Sequence, residues 1–125
     1  MQIGRDALKT QLLNSVAEIR FFRRRPVAGK SASRRMLCTN SATLLNSYNG
    51  KMVLNYQAPI FTPKFDPNNN NIIITWDILM QNYRCINMDG CDLIQTWSDN
   101  DEFWKYFNES ILPMTTQQKM QFMDT

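Results

Sequence analysis

The chain has 125 residues, 43% of them hydrophobic, with three Trp, four Tyr and seven Phe, enough to bury one core and too apolar for wholesale disorder. Fourteen Lys and Arg against eleven Asp and Glu give a net charge of +3, with three cysteines and no histidine. That inventory argues against a disulfide framework and leaves a tetrahedral zinc site short of its usual four Cys and His ligands.

The charge is unevenly spread. Residues 1–39 hold nine basic residues against Asp6 and Glu18, a local balance of +7, whereas the remainder is at −4. Such asymmetry predicts a polyanion or an acidic protein against the first third of the chain. No apolar run approaches the ~20 residues of a membrane span, and the amino terminus lacks the charged-then-apolar pattern of a signal peptide. An intracellular protein with no membrane contact and reduced thiols at Cys38, Cys85 and Cys91 is expected. Asn108-Glu-Ser110 matches a glycosylation sequon by chance in such a chain.

In chain order, Asp6 is placed to cap a first helix with Ala7, Leu8, Leu12 and Ile3 on its apolar face, ending at Asn14-Ser15. From Val16 the period becomes two: Ala17, Ile19 and Phe21 face one side and Glu18 and Arg20 the other, the pattern of a half-buried strand. A loop with Pro26 and Gly29 reverses the chain into a second strand, Arg34 to Thr39, with Leu37 packed and Arg35 at the solvated end. Residues 40–71 form an ordered, irregular excursion: Asn46 to Gly50 is a turn signal, Pro59, Pro63 and Pro67 oppose long elements, and Tyr56, Phe61 and Phe65 supply anchors. The echo of Leu12-Leu-Asn-Ser15 in Leu44-Leu-Asn-Ser47 is too short for a structural repeat.

Ile72 to Trp76 is β-branched and aromatic, Met80 to Asn82 turns, Tyr83 to Met88 extends, Asp89-Gly90 turns again, and Cys91 to Trp97 supplies a fifth strand. Asp99 and Glu102 then open a helix bearing Phe103, Trp104, Phe107 and Ile111, stopped before Pro113. Thr115 and Gln118 open a last short helix with Met120 and Met123. The expected fold is mainly β with flanking helices (α+β): a five-stranded barrel with an amino-terminal helix over residues 1–98, and a helical extension over 99–125 packed on it.

Ile19-Arg-Phe21, Arg34-Arg-Met-Leu-Cys-Thr39, Thr75-Trp-Asp77, Tyr83-Arg-Cys-Ile86 and Asp89 with Leu93-Ile94 follow one another in an order that resembles a WYL-like family with an Sm-like, Src-homology-3-like (SH3-like) β-barrel, found in bacteriophages and large DNA viruses. The match runs from about residue 8 to 95 and departs from the family in a longer stretch from Asn40 to Asn71 and in Tyr83, where tryptophan is commoner. The resemblance implies a viral accessory domain, located in the host cytoplasm or nucleus or in the virion, and supplies no catalytic residues.

Chemistry is sparse. Gly29-Lys30-Ser31 looks like the end of a phosphate loop, but Arg24 stands where that loop needs a glycine, and a single Trp76-Asp77 builds no propeller. Without histidine, a nucleophilic Ser or Cys lacks its usual base. Asp77, Asp89 and Asp92 are candidate ligands for a hard cation, although strand-end roles are commoner for such residues. No enzyme, metal or cofactor is expected. The leading candidate is the basic hairpin Arg23, Arg24, Arg25, Lys30, Arg34 and Arg35, whose guanidinium groups suit phosphates, with Phe22 or Tyr83 able to stack a base. The alternative is a protein-interaction or virion-assembly module that meets other viral structural proteins through this hairpin and through Phe103, Trp104 and Phe107.

Overall fold

The computed structural model describes residues 1–23, 28–57 and 71–124. Helix α1 spans Arg5–Leu12, with Gly4 rather than Asp6 at its cap and no side-chain cap bond. Its start is fixed by the residues before it, where Gln2 bridges Asp92 and the Ile3 amide donates to the Cys91 carbonyl at 3.0 Å. Asp6 sits instead in the first turn, where a negative charge suits the helix dipole.

Five strands follow the predicted segments to within a residue: β1 Val16–Phe22, β2 Ser33–Thr39, β3 Ile72–Asp77, β4 Asn82–Asn87 and β5 Asp92–Trp97. All pair antiparallel in the order β4-β3-β2-β1-β5, and β1 carries an irregularity between Glu18 and Ile19 where it meets β5. Among the described residues no ladder joins β4 to β5. The β2–β3 ladder has only two pairs, Cys38 with Asp77 and Thr39 with Trp76, so the amino-terminal half of β2 leaves its neighbour.

The stretch expected to be irregular contains two short helices, α2 Ala42–Leu45 and α3 Tyr48–Met52. Each is opened by a serine that sequence reading passed over: Ser41 Oγ accepts from the Leu44 amide and Ser47 Oγ from the Gly50 amide. Both copies of Leu-Leu-Asn-Ser close a helix, α1 or α2. The expectations for Pro59, Phe61, Pro63, Phe65 and Pro67 fall outside the described residues. Tyr56 is an anchor as expected, with its ring edge-on to Trp76 at 5.1 Å and its hydroxyl accepting from Tyr83 at 2.9 Å.

Beyond β5, Asp99 caps α4 (Asn100–Tyr106) by accepting from the Asp101 and Glu102 amides. The helix widens into a π-helical turn, Phe107–Ile111, before Pro113. Helix α5, Thr116–Met123, opens with a complete capping box between Thr115 and Gln118.

Strand alternation divides the core in two. On one face Ala17, Ile19, Phe21, Met36, Cys38, Ile73 and Ile86 pack with Leu8 and Leu12 of α1. On the other, Val16, Leu37, Trp76 and Trp97 pack with Leu44, Phe103, Phe107, Ile111 and Met123 from the remaining helices. Both faces of β1 are therefore covered, which corrects its reading as a half-solvated strand: Glu18 is only 4% exposed. The architecture is a mixed α+β fold, a five-stranded antiparallel sheet with helices on both faces.

Candidate functional site

The departure of β2 from β3 opens a gap at one corner of the sheet, and the turn after β3 and helix α5 flank it. Asp77, the last residue of β3, builds that turn. One carboxylate oxygen accepts from the Leu79 and Met80 amides, each at 3.1 Å, and the other pairs with Arg34 Nη2 at 2.5 Å. Asp77 is fully buried. Burial pushes its carboxyl above the ordinary carboxylate range, against the opposing pull of Arg34 and the Met80 amide.

The cleft so formed has a volume of about 450 Å³. Arg23 and Lys30 line it from the hairpin, Arg34 from β2, Arg84 from β4 and Lys119 from α5, so five cations from four places in the fold converge. Leu79, Met80, Met120 and Met123 give it an apolar floor, and Asp124 stands at one end. Among the described residues no carboxylate pairs with Lys30, Arg84 or Lys119. Three cations without a close carboxylate partner among the described residues, although Arg84 also acts on the Asp77 carboxylate, create a positive potential suited to an anion on this concave surface.

The six predicted basic residues do not act alike. Arg24 and Arg25 fall outside the described residues. Arg23 pairs with Asp124 at 3.5 Å, and Arg34 with Asp77. Arg35 points to the opposite face of the sheet, where it meets Glu18 at 2.9 Å and lies over the Phe122 ring at 4.2 Å, so it is not at a solvated strand end. Lys30 alone of the described members is exposed and without a carboxylate partner. Arg84 and Lys119, which sequence reading missed, stand with Lys30 in the cleft. They are 35 residues apart, and no local pattern links them.

The aromatic candidates are mostly structural. Phe103 is fully buried, Phe107 is buried and Trp104 is half-buried against both, so the face offered for docking is the one that holds α4 on the sheet. Tyr83 is held by Trp76 and Tyr56, whereas Phe22 keeps half its surface exposed at the end of β1, close over Gly90. The three aspartates considered as cation ligands are separated in role: Asp77 is in the buried pair, Asp89 accepts from Asn71 Nδ2 at 2.7 Å and Asp92 lies by the amino terminus. No metal-ligating cluster occurs among the described residues. Cys38 and Cys91 are buried and Cys85 is exposed; burial raises all three thiols, Cys91 to about 11, which disfavours the nucleophilic thiolate. Among the described residues no helix is long and apolar enough to cross a membrane.

Comparison with protein-family models, curated proteins and solved structures finds no match to this chain.

Proposed function

We propose that this protein is a non-enzymatic module that binds nucleic acid electrostatically, with the basic cleft rather than the hairpin alone as its phosphate-holding surface. The observation that carries the reading is the convergence of Lys30, Arg84 and Lys119, which have no carboxylate within ion-pair distance among the described residues, with Arg23 and Arg34 on one concave surface. Affinity then comes from release of counterions and is weakly dependent on sequence. The strand order and the helix over one sheet face support a finer reading of the fold as an Sm-like, Src-homology-3-like barrel, and with it the role of a viral accessory or structural protein. A second reading, a protein-interaction or assembly module, is favoured by Met80 and Met120, 45% and 46% exposed on the cleft, since methionines make adaptable contact surfaces.

Fluorescence anisotropy of labelled single- and double-stranded DNA and RNA at ~50 and ~200 mM salt tests this. Contact with three phosphates predicts a loss of roughly 20- to 40-fold between the two conditions. Replacing Lys30, Arg84 and Lys119 together with glutamate should abolish binding at the lower salt while leaving the circular dichroism spectrum unchanged. An absence of binding at ~50 mM salt sinks the reading and leaves the assembly module.

A further inference from the structure

One carboxylate already occupies the cleft, and the way it is held defines what the site accepts. Asp124 Oδ1 receives the Ser31 backbone amide at 2.9 Å and Arg23 Nη1 at 3.5 Å. The Arg23 guanidinium is itself fixed, since Nη1 also donates to the Ser31 carbonyl and to the Ser33 carbonyl, the latter at 3.1 Å. Its own amide closes the hairpin on the Ala32 carbonyl at 3.0 Å. An oriented backbone N–H beside an immobilised guanidinium is the donor pair that phosphate oxygens take up.

The occupant is poorly suited to its place. Asp124 is the residue at which α5 ends, and a negative charge there faces the negative end of the helix dipole. Its carboxylate is partly solvated, with 30% of the side chain exposed, so the pair with Arg23 is of the weak surface kind. The helix does not need it, because α5 is held by Met123 in the core and by Phe122 against Arg35.

From this arrangement, and resting on the nucleic-acid reading above, we infer that Arg23 and the Ser31 amide form a phosphate subsite that Asp124 fills as an internal competitor. A bound strand displaces the Asp124 carboxylate while α5 stays docked. The chain thus holds a built-in brake on its affinity for polyanions.

Asp124→Asn removes the competitor's charge. Because the strand no longer has to displace a carboxylate from Arg23, affinity for a labelled single-stranded oligonucleotide should rise about 5-fold at ~50 mM salt, and by less at ~200 mM, where the opposing Arg23–Asp124 pair is itself screened. Asp101→Asn, an equal loss of charge from exposed α4, controls for net charge and should change little. Adding Arg23→Ala to Asp124→Asn should erase the gain. Inorganic phosphate titrated into each protein, read by the nuclear magnetic resonance shift of the Ser31 amide, should move that amide in Asp124→Asn and much less in the unaltered protein. A gain equal to that of Asp101→Asn, or one that survives Arg23→Ala, overturns the subsite, as does a Ser31 amide indifferent to phosphate in Asp124→Asn. If no oligonucleotide binds any of these proteins, the nucleic-acid reading fails by itself, and the phosphate titration still decides the subsite.

Discussion

Arg34 and Arg35 are neighbours in sequence and belong to opposite faces of a sheet. A strand's period of two makes such a split legible in principle, and it breaks the apparent cluster of charge. Their carboxylate partners, Asp77 and Glu18, lie 43 and 17 residues away in the chain, and only the fold brings them close. Asp77 serves both the turn and the ion pair, and the two functions can be separated. Arg34→Ala leaves a buried carboxylate uncompensated and should cost about 3–5 kcal/mol. Asp77→Asn keeps an amide oxygen for the Leu79 and Met80 amides and should cost distinctly less. Urea denaturation of both variants decides the matter: equal losses would mean that the missing pair itself, and not a stranded buried charge, sets the cost.

Among the elements, the strands were legible because β-branched and aromatic runs alternate between turn residues, and α5 because both halves of its capping box are written in the sequence. Helices α2 and α3 were not legible, since four or five residues are too few to display a helical period. The close approach of these two helices depends on Gly50, where a side chain's first carbon would fall on the Leu44 and Leu45 carbonyl oxygens. Gly50→Ala should therefore destabilise the protein despite alanine's higher helix propensity, by about 1–3 kcal/mol in the range of an overpacked core site. Thermal unfolding of that variant checks the packing, and an unchanged or raised midpoint would contradict it. The candidate site was half legible: the hairpin pointed to the right corner of the molecule, but Arg84 and Lys119 reach it only through tertiary structure.

For the whole molecule, several buried or partly desolvated thiols and phenols share one sign. Burial raises Cys38, Cys85, Cys91, Tyr83 and Tyr106 above their ordinary values, Cys91 to about 11. The unfolded chain ionises such thiols near ~8.5 and phenols near ~10. Their contribution to stability is therefore full below about pH 8.5 and declines as pH rises through the folded values, past about 11 for Cys91. The urea midpoint should fall from pH 7 to pH 10 as the unfolded thiols ionise, and a flat profile would refute the burial argument. The two-pair ladder between β2 and β3 has a different consequence, concerning the order in which the chain assembles. The β1–β2 and β3–β4 hairpins each join strands close in sequence, while β1 meets β5 across some eighty residues, as in the pairing of Val16 with Trp97. Local hairpins pay little loop-closure entropy and can form early, whereas the narrow seam and the distant β5 ladder must wait for the shared core. The order of assembly expected from this topology is two early-forming hairpins fastened late.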